Sequence, residues 1–311
     1  MINLAPIVLF VYNRPDHTVK TIEALQKNEL ASESELFIYS DEAKNDDAQL
    51  AVDKVRKYIN KIDGFKKVTV IKREKNWGLS RSIINGVTEI INKYKKIIVL
   101  EDDLVTSFYF LRFMNESLDM YEKDNQVASI HGYIYPIENL PDNFFIRGAD
   151  CWGWATWKNK WDVFEPDGQK LLNELTAKNL LKEADFNSSF GFTKMLKGQI
   201  NGENDSWAIR WNMSAFLKNM VTLYPGKSYV RNIGFDSQGT HSRETDVFNV
   251  NLNTEFILER IETNENLEAR KNFELFFKRP ILCLYFNSLT ASSTEYLNLN
   301  PVFKSLDESS L

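Results

Sequence analysis

The chain has 311 residues, 43% of them hydrophobic and 26% charged, which suits one large globular unit with a substantial core and excludes wholesale disorder. A formal net charge of -5 disfavours a general nucleic-acid binder, which needs a basic footprint, and points to a small or sugar-like partner. Two cysteines, Cys151 and Cys283, lack metal or disulfide-framework spacing and fit a reducing cytoplasm, and no run approaches the ~18 apolar residues that span a bilayer.

The N-terminal stretch to about Tyr12 lacks the charged segment and cleavage site of a signal peptide and reads as a strand, Ile7 to Val11. Tyr12-Asn13-Arg14-Pro15-Asp16 follows, and then Val19, Ile22 and Leu25 at helical spacing, with proline near the helix start. The unit repeats: Leu36 to Tyr39 runs into Ser40-Asp41, and Val52, Val55, Ile59 and Ile62 mark a second helix. A third strand spans Val68 to Ile71, and the loop Asn76 to Arg81 opens an amphipathic helix carrying Ile83, Val87, Ile90 and Tyr94. This alternation predicts a parallel, doubly wound sheet whose right-handed crossovers bring Arg14, Asp41 and Arg81 to one edge.

The next strand, Ile97-Ile98-Val99-Leu100, ends directly in Glu101-Asp102-Asp103. Carboxylates beyond the carboxyl end of a buried strand are placed to meet a hard cation and a diphosphate, where an α/β sheet binds its ligands. The alternative is that they are solvated or cap the next helix, expected from about Phe108 to Tyr121. Strands at Val127 to His131 and Phe144 to Arg147 come next. After them, Trp152, Trp154, Trp157 and Trp161 crowd four of seven tryptophans into one short segment, suited equally to sugar rings and to core. Gly153 among them allows close backbone approach. Asp205 sits in the polar stretch Gly202 to Ser206 before a helix from Trp207 to about Leu217, as base or as helix cap. His241, in a turn-rich segment, is a metal or phosphate ligand or a plain loop histidine. From Glu255 onward the tail reads as helix and then irregular chain, either packed on its own domain or docked on a partner or membrane surface. The organisation expected is a catalytic domain over 1-250 and an extension over 251-311.

Phosphate-binding glycine loops are missing after the first strand, so a metal on Asp103 helped by the Arg81 cation is the expected phosphate grip. Asp41 either accepts a hydrogen bond from a nucleobase imide, with Arg14 closing over the ring, or stabilises a turn.

In chain order, Val11-Tyr12-Asn13-Arg14, Ser40-Asp41, Gly78-Leu79-Ser80-Arg81, Leu100 to Leu104, Gly153-Trp154 and Asp205-Ser206-Trp207 resemble GT-A nucleotide-sugar glycosyltransferases. The pattern is similar to the N-acetylglucosaminyltransferase I type and to bacterial family 2 enzymes. That resemblance implies an α/β, Rossmann-like mixed sheet flanked by helices and an inverting, metal-dependent transfer, with Mn²⁺ or Mg²⁺, from a UDP-type sugar. It would place Arg14 and Asp41 on the uracil, Asp102 on the ribose, Asp103 on the metal and Arg81 on the diphosphate; beside them Glu101 is expected with the donor and His241 on the metal. Gly153 and Trp154 would line the sugar pocket, and Asp205 would be the base, with Glu203 in reserve. The segment between Trp161 and Asp205 is longer than the family pattern, and Ser206 stands where the family carries a second acid. The acceptor expected is a glycan or lipid-linked glycan in surface polysaccharide synthesis, in the cytoplasm or peripheral at the inner membrane face, with no nucleic acid involved. A sugar nucleotidyltransferase and an inactive nucleotide- or carbohydrate-binding module are the competing readings.

Overall fold

The computed structural model describes residues 4-235 and 246-279. The first hundred residues alternate strand and helix as their periodicity predicts. Strand β1 (Ile7–Val11) leads to α1 (Pro15–Gln26), β2 (Glu35–Ser40) to α2 (Asp46–Ile59), and β3 (Lys67–Lys72) to α3 (Leu79–Tyr94), which returns the chain to β4 (Lys96–Glu101). A short β5 (Leu104–Thr106) and α4 (Phe110–Tyr121) follow, then β6 (Val127–His131), β7 (Asn143–Arg147) and β8 (Trp154–Trp157). Helices α5 (Lys158–Trp161), α6 (Gly168–Ala177), α7 (Leu181–Ala184), α8 (Phe192–Ile200) and α9 (Trp207–Leu217) come next. The described chain finishes with β9 (Val221–Pro225), β10 (Val230–Asn232) and α10 (Leu267–Phe277).

Eight strands form one sheet in the order β3-β2-β1-β4-β8-β6-β9-β7, and β10 pairs with β5 in a separate ribbon. The β3-β2-β1-β4 half is parallel, as expected. Beyond it β8 runs antiparallel to both β4 and β6, so the whole is a mixed α/β sheet. Every residue of β1 is buried, because helices cover both faces of this half. Ile7, Leu9 and Val11 point with Ile98 and Leu100 to the side of α1 and α4. Val8 and Phe10 point with Ile97 and Val99 to α3 and the tryptophans.

The chain leaves β1 toward β2 and β3 on one side and comes back to β4 on the other. The crossover reverses between β1 and β4, which opens a crevice beyond their carboxyl ends. Phe10 is in register with Glu101, so Tyr12-Asn13-Arg14 and Glu101-Asp102-Asp103 leave the sheet side by side. Among the described residues no helix is long and apolar enough to cross a membrane.

Candidate active site

At the mouth of this crevice the acidic triplet is held by backbone as well as by charge. Asp102 Oδ2 accepts the Tyr12 N–H at 3.2 Å, and the Asp102 carbonyl accepts the Thr21 hydroxyl at 2.9 Å. Asp103 Oδ2 takes Arg14 Nη1 at 2.9 Å in a pair whose side chains are only 14% and 21% exposed. The Asp103 carbonyl accepts Ile233 N–H, which closes the segment after β10 over the site.

Three carboxylates on consecutive residues, largely withdrawn from water, resist ionisation. Burial, reinforced by the charges of Asp103 and Asp102, holds Glu101 well above the usual carboxylate range. Burial and then Asp103 push Asp102 up to about 7, against the opposing pull of Arg14. Asp103 is raised by burial too, with Arg14 again restraining the rise. The site therefore favours added positive charge.

A hard divalent cation fits that chemistry, since Asp102 and Asp103 offer oxygen donors. At the same point a Cβ on Gly234 would stand 2.2 Å from Asp103 Oδ2, so glycine lets the backbone pass against this carboxylate. Among the described residues no three His, Cys, Asp or Glu side chains form a ready metal cage. That is compatible with Mg²⁺-like binding through one or two carboxylates plus substrate phosphates. His241, expected as a ligand, lies outside the described residues.

Asp41 is buried at the end of β2 and both its oxygens are engaged. Oδ1 accepts N–H groups from Glu42 and Trp77 at 3.0 and 2.9 Å, and Oδ2 accepts that of Gly78 at 2.9 Å. Of the two readings of its sequence, the structure shows the backbone-fixing one: Asp41 clamps the loop that enters α3. The loop presents Trp77 with the Arg73 and Arg81 guanidiniums 3.9 and 4.3 Å from its ring centre. Arg81 is exposed at the start of α3. Its neighbour Ser80 accepts a 2.6 Å hydrogen bond from Arg210 Nη2, which ties α3 to α9.

Arg210 also lies 3.5 Å from Asp205, whose side chain is 70% exposed. Helix capping, the plain alternative for Asp205, is done instead by Ser206, whose hydroxyl accepts Ile209 N–H at 3.2 Å. Asp205 is thereby left as an open carboxylate beside a buried arginine, and Glu203 is exposed two residues earlier.

The aromatic segment divides differently from expectation. Trp154 is fully buried and packs against Trp161, Trp207 and Trp211 at 5.5 to 5.9 Å, so its indole is core and offers no wall to a sugar pocket. Val99 pairs with Trp154 at the start of β8, and Trp152 lies just before that strand, packed on Tyr133 and Phe235. Trp152 is half-buried, and His131 Nε2 accepts its N–H at 3.0 Å. Burial keeps His131 neutral by lowering its pKa, which suits that acceptor role. Gly153 has φ +70°, and a Cβ there would lie 2.7 Å from Val230 Cγ2, so the backbone passes tightly against the core.

His17, Arg210 and Gly234 carried no site reading in the sequence. His17 had a local signal, standing one helical turn after Arg14, and its Nε2 lies 2.8 Å from Arg14 Nη2. Gly234 reaches Arg14 across 220 residues and Arg210 reaches Ser80 across 130, which no local pattern carries.

Comparison with known proteins adds the following. The chain is similar to a UDP-glucose pyrophosphorylase solved with UDP-glucose, at 11% identity over 73% of this chain and 93% of that one, TM-score 0.40. It is similar to Staphylococcus aureus TarS at 13% identity over 72% and 36%, TM-score 0.38. A third likeness is to the mannosyltransferase PcManGT from Pyrobaculum calidifontis, solved with GDP-Man and Mn²⁺, at 11% identity over 43% and 39%, TM-score 0.28. A search of curated proteins returns no match. The sequence model of glycosyl transferase family 2 matches residues 7–173, more than half of the 311-residue chain, and the protein belongs to that family of nucleotide-sugar glycosyltransferases.

Proposed function

We propose that this family 2 enzyme is a metal-dependent, inverting glycosyltransferase that moves a sugar from a UDP-type donor to a hydroxyl of a glycan or lipid-linked glycan, in the manner of the N-acetylglucosaminyltransferase I type. The observation that carries the reading is the acidic triplet at the β1–β4 crossover, where Glu101, Asp102 and Asp103 all hold protons more tightly than free carboxylates. Such a cluster is costly to keep unless a cation and a diphosphate come to it.

In this reading Asp103 would hold Mn²⁺ or Mg²⁺, with His241 as a further ligand. When bound, the ion neutralises charge developing on the departing diphosphate. Arg81 lies at the open end of α3, where its cation serves the same diphosphate. Asp102 takes the ribose, Arg14 and the Asp41 loop border the base, and Glu101 with the Gly153 backbone borders the donor sugar. Asp205 accepts the proton of the acceptor hydroxyl as the oxygen bonds to the anomeric carbon. The bond to the diphosphate breaks on the opposite face and its electron pair leaves with the nucleotide, so the configuration inverts. Surface polysaccharide or glycan synthesis in the cytoplasm, at or near the inner membrane face, is the setting this chemistry fits.

A positioned base contributes about 10²–10⁴-fold to rate. Nucleotide release from a panel of nucleotide sugars should therefore fall by about that factor in Asp205→Asn, with nucleotide binding retained. Binding without turnover in the parent protein would replace the transferase reading with that of a binding module.

A further inference from the structure

One oxygen of the carboxylate that would hold the proposed metal is already engaged by a cation. Arg14 Nη1 donates to Asp103 Oδ2 at 2.9 Å, and its Nη2 lies 2.8 Å from His17 Nε2 and 3.5 Å from the Gly234 carbonyl. His17 is in turn 3.2 Å from the Ile233 carbonyl, so the guanidinium is held by α1 on one side and by the strand end after β10 on the other. Gly234 contributes by its missing side chain, since a Cβ there would collide with the same Oδ2. Arg14 is thus seated against the carboxylate that the proposed ion would use, and two cations on one carboxylate at contact distance repel each other.

We infer that Arg14 is the resident counter-ion of Asp103 in the donor-free protein, and that its release couples donor binding to divalent-cation binding. The inference rests on the donor-site reading above. Before the donor arrives, Arg14 compensates an otherwise repulsive acidic cluster. A nucleotide that draws the guanidinium toward its base uncovers Oδ2, and an ion on Oδ2 releases Arg14 toward the nucleotide. Each ligand then raises the affinity for the other by the same factor, as linkage requires. Arg14 acts here as a positioning residue, and the pairing keeps the site from holding a metal before its donor.

The test is a Mn²⁺ titration of the whole protein, followed by electron paramagnetic resonance, with and without UDP. Without nucleotide, Arg14→Gln should bind Mn²⁺ about tenfold more tightly than wild type, in keeping with the one to three pKa units by which a contacting cation biases a carboxylate. Arg14→Met, which keeps the length of the side chain without its charge, gives the same comparison should the glutamine variant fold poorly. UDP should raise Mn²⁺ affinity by a smaller factor in either variant than in wild type. If the variants bind nucleotide-free Mn²⁺ no more tightly than wild type, while all three bind it with UDP, the inference is overturned and the donor-site reading stands. If no form binds Mn²⁺ even with UDP, the donor-site reading fails and the inference with it.

Discussion

Asp102 is the residue at which the electrostatic account can be read most simply. Its carboxyl titrates near 4 in an unfolded chain and is pushed up to about 7 in the fold, mainly by burial and then by Asp103. The folded protein therefore binds the extra proton between these values. Stability from this group is fully present below pH ~4 and is lost as pH rises through ~7. In metal-free protein, Asp102→Asn should gain in melting temperature relative to wild type as pH goes from 5 to 8, measured by calorimetry in chelator. A difference that stays flat over that range would mean that Asp102 ionises without penalty. The triplet itself was legible in the sequence, since an apolar strand ending in three acids needs no tertiary information. That Arg14 sits on Asp103 was not, because the two are 89 residues apart.

Elements place these residues, and here Asp41 is the instructive case. Its position at the end of β2 followed from the strand pattern. Its partners did not, because Trp77 and Gly78 lie 36 and 37 residues on and reach it only through the β2–β3 pairing. Asp41→Ala would leave those backbone N–H groups without an acceptor, at about 1–3 kcal/mol for a buried unsatisfied donor. Denaturant unfolding should show a loss of that order, and nucleotide binding should weaken because the loop carrying Arg81 is released. An unchanged midpoint would remove the clamp role. The helix over Trp207–Leu217 and the strand Val127–His131 were readable to the residue from their apolar spacing. The division of labour among the tryptophans was not: alternation alone would put Trp152 and Trp154 on one face, but Gly153 between them, at φ +70°, breaks the strand and sends the two indoles into different clusters.

At the scale of the molecule, the parallel half of the sheet was legible because strand and helix periods alternate without interruption. The antiparallel insertion of β8 between β4 and β6 was not, since it joins strands with no sequential neighbour. The same long-range stitching bears on the expected boundary at residue 250. Ile257 N–H donates to the Tyr229 hydroxyl at 3.1 Å, Ile261 N–H to that of Tyr121 at 3.0 Å, and Asn266 N–H to the Phe145 carbonyl at 2.8 Å. Phe273 and Phe277 of α10 pack with Phe144, Tyr224 and Phe186 in one apolar cluster. We propose that residues 251-279 complete the catalytic fold rather than append to it. A chain ending at Val250 should yield insoluble protein or one without the cooperative melt of the full chain. A stable, cooperative product from the shorter chain would restore the boundary at 250.

The central claim is that the acidic triplet is a cation-assisted nucleotide-diphosphate site. Thermal shift of the protein with UDP, GDP, CDP and dTDP, each with and without Mn²⁺ and repeated on Asp103→Ala, tests it most directly. One nucleotide, UDP, should raise the melting temperature only when Mn²⁺ is present, and Asp103→Ala should abolish the rise. No response to any nucleotide, or a response that neither Mn²⁺ nor Asp103 affects, would contradict it.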